Sequence, residues 1–156
     1  MEPEIMRKEA FTLLGLQERF TPDNEDHEGI WKRFMKYHDQ IQAFSIDRAY
    51  YGANFGAEEG QAIDYLAGMA VTGVQDVPKG LTLREVPASR YAVFECTVQT
   101  ISSTYDWIFG QWLKKALYPR PSEDSAKADF ERYPSATDSG DTPVLLHIAL
   151  EDEQED

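Results

Sequence analysis

Carboxylates set among aromatic residues are the most suggestive chemistry in this sequence. Glu95 ends the stretch Tyr91–Glu95 (YAVFE), and Glu131 lies within Phe130–Tyr133 (FERY). A carboxylate partly shielded by rings attracts a delocalised cation, because such a cation is weakly hydrated and loses its water easily. The pattern indicates a site for hydrophobic aromatic cations. The plainer alternatives are a solvated Glu95 and a surface Glu131 paired with Arg132 or a lysine.

Further residues fit a groove that holds flat molecules. Tyr65, Tyr91 and Met69 supply stacking surfaces and soft, adaptable contacts, although ordinary sheet packing also explains them. Trp107 lies off the main stripe of its helix and is placed to overhang a cleft. His147 stands alone on a strand, which is more typical of a structural histidine. The predicted ligand-binding residues are Glu95, Tyr91, Tyr65, Met69, His147, Trp107 and Glu131.

The sequence motifs of common catalytic, phosphate-binding and metal sites are absent. There is no Gly-rich phosphate loop, no serine nucleophile elbow and no HExxH motif. The single cysteine, Cys96, excludes an internal disulfide and a cysteine-based zinc cage, and its strand position predicts a small buried hydrophobe. The sequence therefore predicts no catalytic residues, no metal site and no cofactor.

Apolar periodicity places these residues on a mixed set of elements. Ile30, Phe34 and Ile41 recur at helical spacing, and a second helix is expected from about Ser102 to Lys115. Period-two alternation and turn residues predict strands at Glu9–Phe20, Tyr50–Phe55, Ile63–Val71, Leu81–Val86 (crossing between the halves), Arg90–Thr97, Phe130–Tyr133 and Val144–Leu150.

The pattern repeats at an offset of about 80 residues. Phe11–Leu16 corresponds to Tyr91–Cys96, and Asp64–Ala70 corresponds to Val144–Leu150. The repeat predicts a single domain, residues 1–156, with pseudo-repeats at about 5–75 and 85–150. The expected fold is α+β: tandem strand–helix–strand–strand modules form one mainly antiparallel sheet of about eight strands. Two helices cover one face, and a ligand groove lies between the halves.

Strand alternation assigns side chains to the two faces of this sheet. The residues expected beneath the helices are uniformly apolar: Ala92, Phe94, Cys96 and Val98, with Val144, Leu146, Ile148 and Leu150. The other face is too aromatic for a solvated surface and too polar for a core, and is predicted to line the groove. Its members are Tyr91, Val93, Glu95, Leu145, His147 and Ala149, with the first-half counterparts Phe11, Leu13, Gly15, Tyr65, Ala67 and Met69.

Composition narrows the choice of partner. The 156 residues carry a formal net charge of −13, from 28 acids and 15 bases, which would repel a nucleic acid and attract cations. The acidity is equally explained by solubility. No apolar run of 18 residues exists, and the first residues, MEPEIMRKEA, lack a basic start and an apolar core, so a cytoplasmic location is expected.

Several stretches resemble the gyrase-inhibitor-like family of effector-binding domains, and most of all its integron-cassette-associated branch. They are Gly15 with Phe20, Ile30–Phe34, Asp64–Gly68, Tyr91–Glu95, Thr104–Leu113 and Asp129–Tyr133. Such domains form the ligand-sensing half of many AraC-type and MerR-type multidrug regulators in bacteria. The resemblance, from about residue 5 to residue 150, implies tandem modules and a groove for flat or cationic aromatic compounds.

The last strand departs from the family pattern. Many relatives read V-E-I-Y-I-P there, and the glutamate is the acid of the drug pocket. Leu145 and His147 stand at the glutamate and tyrosine positions here, so cation binding through that acid is not carried over. Any cation preference is then expected to depend on Glu95.

These observations favour a non-enzymatic binding protein for hydrophobic, cationic aromatic compounds. No helix-turn-helix is visible, so transcription regulation would act through a separate regulator, with no direct contact to nucleic acid or membrane. The alternative is a hydrolase that detoxifies electrophilic natural products with a groove glutamate. Homodimer formation, docking to a regulator and protection of gyrase remain open roles.

Overall fold

Eight antiparallel strands form a single sheet, which confirms the predicted α+β fold. The computed structural model describes residues 2–56, 62–116, 118–122, 125–134 and 142–151. The strands are β1 (Glu4–Lys8), β2 (Phe11–Phe20), β3 (Tyr50–Gly56), β4 (Ile63–Val71), β5 (Thr82–Val86), β6 (Ser89–Thr97), β7 (Ala128–Tyr133) and β8 (Pro143–Leu150).

Two helical segments pack on this sheet, as predicted. The first comprises α1 (His27–Phe34), a 3-10 turn (Met35–Tyr37) and α2 (His38–Gln42). The second comprises a 3-10 turn (Val98–Thr100), α3 (Ile101–Trp107), a π-helical stretch (Ile108–Trp112) and α4 (Leu113–Lys115). Asp26 caps α1, because its Oδ1 accepts a hydrogen bond of 3.0 Å from the Gly29 N–H.

Two short connections force the sheet to curl. The strand order is β1-β6-β8-β7-β3-β4-β2-β5, so β1 and β2 stand six positions apart, as do β5 and β6. Six positions in a flat sheet would span roughly 29 Å. Only Glu9 and Ala10 join β1 to β2, and only Pro87 and Ala88 join β5 to β6, and each link reaches at most about 11 Å. The two ends of the sheet must therefore approach each other.

The curl encloses a core on the concave side, here called the inner face. Its members include Leu13, Tyr51, Leu66, Tyr91 and Phe130, each with 0% of its surface exposed. The Phe11 ring on β2 lies 5.4 Å from the Phe130 ring on β7, although two strands separate them in the sheet. The face predicted to line an open groove is therefore a closed core.

The convex, outer face carries both helical segments. Phe94 and Leu146 pack with Ile108 of the second segment, as the face assignment for β6 and β8 predicts. Leu14 and Met69 pack with residues of the first segment, including Phe34. The outer-face core is thus divided into two clusters, one beneath each helical segment.

The assignment of β4 to the inner face is wrong. Leu14 pairs with Met69, whereas Phe94, which follows Leu14 by 80 positions, pairs with Leu146. Leu146 follows Met69 by only 77 positions. Because side chains alternate with period two, this odd shift places Tyr65, Ala67 and Met69 on the outer face, beneath α1.

The strands at the two edges of the sheet also differ from expectation. Leu81–Val86 was expected to cross between the halves, but β5 lies at one edge and pairs only with β2 among the described strands. The predicted strand Glu9–Phe20 begins at Phe11, and the separate strand β1 forms the other edge. The assignment of residues 1–156 to a single domain stays a prediction.

Burial of His147 in the inner core makes the stability of the protein depend on pH. The ring is 4% exposed and stacks on Phe130 at 4.3 Å. Burial lowers the pKa of His147 to about 4, and the nearby charges of Lys8 and Arg132 act in the same direction. In the unfolded chain the imidazole takes up a proton near pH 6.5, so the unfolded state binds more protons between about pH 4 and 6.5.

We therefore expect the wild type to lose stability as the pH falls from 6.5 to 4, and His147→Phe to lose about 3 kcal/mol less over that window. Urea denaturation at pH 4 and at pH 7.5 measures the difference. Equal pH dependence in the two proteins would show that the imidazole is not held neutral by the fold.

Candidate functional site

A cleft of about 650 Å³ opens on the outer face, between the two helical segments. Its floor lies over β4, β3 and β7, and its walls come from α1 and from the second helical segment. It is lined by Glu25, His27, Glu28, Trp31, Asn54, Ile63, Tyr65, Val98, Ile101, Ser102, Tyr105, Asp106, Phe109, Asp129, Glu131 and Tyr133.

Glu131 is the centre of the floor. The residue is 4% exposed, and three phenol groups donate hydrogen bonds to its carboxylate. Tyr65 donates to Oε1 at 3.0 Å, Tyr105 donates to Oε2 at 2.7 Å, and Tyr133 donates to Oε1 at 3.3 Å. Within the described residues, no lysine or arginine pairs with this acid. The phenols stabilise a buried carboxylate that has no lysine or arginine partner, and a charge on nearby His27 would act in the same direction.

The sheet register brings these groups together. Glu131 and Tyr133 share a face because they are two positions apart on β7. Gly52 on β3 pairs directly with Glu131. Because Gly52 has no side chain, the phenol of Tyr65 reaches over β3 to the carboxylate. A Cβ at position 52 would lie 2.1 Å from the Tyr65 hydroxyl and 2.7 Å from Glu131 Oε1.

Aromatic rings hold Tyr65 in this position. The Trp31 indole N–H donates to the Tyr65 hydroxyl at 3.0 Å, which links α1 to the carboxylate through one phenol. Phe20 stacks on the Tyr65 ring at 5.2 Å, and His27 meets that ring edge-on at 4.7 Å. The position of the hydroxyl group is thus fixed by contacts on three sides.

The cleft is strongly acidic. Five of its lining residues are carboxylates, and none of the lining residues that the structure describes is a lysine or an arginine. Asp129 is already neutralised, because Arg120 binds both of its oxygens at 2.7 and 2.8 Å. Glu25, Glu28 and Asp106 are exposed at the rim. The field in the cleft therefore favours a positively charged guest.

Protonation states follow from burial. Burial raises the pKa of Glu131, and the hydrogen bonds from Tyr105 and Tyr65 oppose that shift. Burial also raises the pKa of Tyr65, Tyr105 and Tyr133, and the charge of Glu131 adds to the effect. The three phenols consequently stay protonated and remain donors to the carboxylate.

Only Tyr65 and Glu131, of the seven predicted residues, line the cleft. The prediction that Tyr65, Tyr91 and Glu95 line one groove, with Met69 and His147 nearby, is wrong, because these residues lie in different places. Glu95 is exposed on β6, which agrees with the alternative that it is a solvated surface residue. The other residues are placed as follows: Tyr91 and His147 in the inner core, Met69 beneath α1, and Trp107 beside a separate depression of about 340 Å³.

The surface alternative for Glu131 is also wrong. Arg132 points to the inner side, where its Nε donates to the Tyr51 hydroxyl at 3.1 Å. Leu145, which replaces the acid of the family pattern, packs against the inner core. The absence of a glutamate at this position therefore leaves the charge of the cleft unchanged, because the position faces the inner core. Glu131 on β7 supplies the acid of the cleft.

Sequence reasoning missed the residues that surround Glu131. Tyr133 carried a usable signal, because it lies two positions from Glu131 on one strand. Trp31 and Tyr105 lie on helices, and their helical stripes do not reveal which strand residue they meet. The parity error on β4 hid the approach of Tyr65 to Glu131.

Comparison with known proteins places this geometry in a family. The model of a family described as integron-associated effector binding protein matches residues 4–150. The chain belongs to this family. Effector-binding proteins of this kind bind small molecules, which agrees with a cleft of this size on the outer face.

Relatives share the fold at low sequence identity. SAV2435, solved bound to tetraphenylphosphonium, is 15% identical and has a TM-score of 0.77, with 97% of this chain and 94% of that chain covered. An integron cassette protein from the mobile metagenome of Vibrio cholerae is 19% identical and has a TM-score of 0.65, with 96% of each chain covered.

A curated relative is the transcriptional regulator BrlR of Pseudomonas aeruginosa. It is 27% identical over 135 residues, which are 85% of this chain and 48% of the regulator. The chain thus spans about half the length of the curated relative it matches. In the parts of the chain that the structure describes, no helix is long and apolar enough to cross a membrane, and no cluster of His, Cys, Asp and Glu is arranged to hold a metal.

The packing at the floor of the cleft leaves no space for a side chain at Gly52, and a substitution tests this. We expect Gly52→Ala to destabilise the protein by about 1–3 kcal/mol, because the new methyl group overlaps the Tyr65 hydroxyl and the Glu131 carboxylate. The matched control is Gly110→Ala, where a Cβ meets nothing within 4 Å. Chemical denaturation compares the two variants. If both are as stable as the wild type, the carboxylate is not held against β3.

Proposed function

We propose that this protein binds hydrophobic aromatic cations in the cleft, without chemical change, and that Glu131 is their charge partner. The observation that carries the proposal is a carboxylate that is 4% exposed, sits on an aromatic floor and has no lysine or arginine partner among the described residues. A buried charge of this kind is costly unless a cation compensates it.

The chemistry of the walls selects the kind of cation. Trp31, Tyr105 and Phe109 offer ring surfaces to a guest, and Phe109 is 42% exposed. An aromatic or onium cation carries a spread charge with weak hydration, so it enters such a site at a low desolvation cost and gains cation–π contact. Tetraphenylphosphonium, bound by the structural relative SAV2435, has these properties.

The biological role that follows is sequestration or sensing of such compounds in the cytoplasm. BrlR, which is a transcriptional regulator, matches this chain over about half of its own length. A sensing role would couple ligand binding in the cleft to transcription regulation, and a homodimer is compatible with either role. The rival function is hydrolysis of an electrophilic natural product, with Glu131 rather than Glu95 as the base. Binding that leaves the ligand intact distinguishes the proposal from this rival.

Calorimetry with three ligands of related shape tests the proposal. Tetraphenylphosphonium is the cation, triphenylphosphine oxide is the neutral compound and tetraphenylborate is the anion. We expect the cation to bind most tightly. Glu131→Gln should lower the cation affinity at least about tenfold, equivalent to about 1.4 kcal/mol, and should change the neutral affinity little. Mass spectrometry of the recovered ligand monitors chemical change.

The matched control is Glu95→Gln, which removes the same charge from an exposed position on another strand. It should leave the ratio of cation affinity to neutral affinity unchanged. A ratio that responds to Glu95→Gln and not to Glu131→Gln would contradict the proposal and restore the assignment made from sequence. Turnover of a strained electrophilic probe, lost in Glu131→Gln, would favour the hydrolase.

A further inference from the structure

We infer that the cleft discriminates among cations by their hydrogen-bond donors. It favours quaternary ammonium and phosphonium ions over a primary ammonium on the same aromatic skeleton. The inference rests on the proposed function, since it concerns the selectivity of the same site. It follows from how the Glu131 carboxylate is surrounded rather than from its charge.

The hydrogen-bonding capacity of Glu131 is largely used within the protein. A carboxylate offers about four lone-pair positions. Three are taken by phenols: Oε1 accepts from Tyr65 and Tyr133, and Oε2 accepts from Tyr105. A guest with N–H groups therefore finds about one open acceptor position on this acid. It must displace a tyrosine to find more.

The carboxylate is also set back from the cleft. Its Oε1 lies against β3, 2.7 Å from the position that a Cβ at Gly52 would occupy. The Tyr65 hydroxyl lies over the same glycine and is itself held by the Trp31 indole at 3.0 Å. A cation can approach within the range of the charge, but Oε1 already accepts from Tyr65 and Tyr133, which leaves Oε2 for a directed N–H bond.

Other acceptors in the cleft do not replace this loss. Asp129 is bound by Arg120 through both oxygens and accepts from the Ala149 N–H at 2.8 Å. Glu25, Glu28 and Asp106 lie at the exposed rim, where water competes for a donor. The lining also holds neutral acceptors, on Asn54, Ser102 and the phenol oxygens of Tyr105 and Tyr133, and these bind an ammonium N–H less strongly than a free carboxylate does.

The donor count of the guest therefore decides its desolvation cost. A primary ammonium has three N–H donors that are hydrogen-bonded in water. Inside the cleft they find about one position on the buried carboxylate and otherwise weaker neutral acceptors, so their hydration is only partly replaced and desolvation carries a penalty. A quaternary ammonium or a phosphonium has no such donor. It keeps the attraction to the buried charge without that penalty.

The test uses 2-naphthylmethylammonium and its N,N,N-trimethyl derivative, titrated into the full chain by calorimetry. We expect the trimethyl compound to bind about tenfold more tightly to the wild type. Methylation also adds apolar surface, so the decisive measurement is the change of this ratio in variants. Tyr105→Phe and Tyr133→Phe each free one acceptor position on Glu131, and each should reduce the ratio by about fivefold.

Tyr118→Phe is the matched control, because this phenol stacks on Trp112 outside the cleft. It should leave the ratio unchanged. Equal or tighter binding of the primary ammonium to the wild type would overturn the inference. So would a ratio that is the same in both cleft variants and in Tyr118→Phe.

Failure of this inference is distinguishable from failure of the proposed function. If both naphthyl cations bind more tightly than neutral 2-ethylnaphthalene, but without preference between them, the cation site stands and the donor selectivity fails. If neither cation exceeds the neutral compound, the proposed function itself fails.

Discussion

The short links at the two ends of the sheet are the constraint on which the rest of the structure depends. Glu9–Ala10 and Pro87–Ala88 each join strands that lie six positions apart, so the sheet curls. Curling closes the inner face over its own aromatic core, and that face needs no second layer. The helices are left to cover the outer face. Because there are two of them, a cleft remains between them.

Hydrogen bonds at the floor of the cleft offset the cost of burying the Glu131 carboxylate. Glu131 is only 4% exposed, and the phenols of Tyr65, Tyr105 and Tyr133 supply the hydrogen bonds that water would otherwise give. These donors come from β4, α3 and β7, and the Trp31 indole on α1 holds Tyr65, so the site exists only when both helical segments and the centre of the sheet are in place. Folding and the formation of the binding site are thereby coupled.

Sequence patterns predict the elements well, since the apolar alternation of β6 and β8 and the helical spacing of Ile30, Phe34 and Ile41 are local signals. The repeat could not show which β4 side chains face the helices. The offset between the two halves changes from 80 positions at β2 and β6 to 77 at β4 and β8, and this odd change exchanges the two faces of β4 without disturbing the hydrophobic pattern. Curling is likewise invisible in a period-two pattern. An inner-core strand such as Tyr91–Glu95 therefore has the composition expected of a groove.

The register at the centre of the sheet has a consequence for stoichiometry. Strands β3 and β7 are neighbours in a strand order that reads alike from either edge. Gly52 on β3 pairs directly with Glu131 on β7, so the facing strand carries no side chain and no second acid at that level of the floor. A sheet with matching halves thus carries an unmatched pair of floor residues. Under the proposed function, one buried carboxylate serves both halves, and each chain would neutralise a single guest charge.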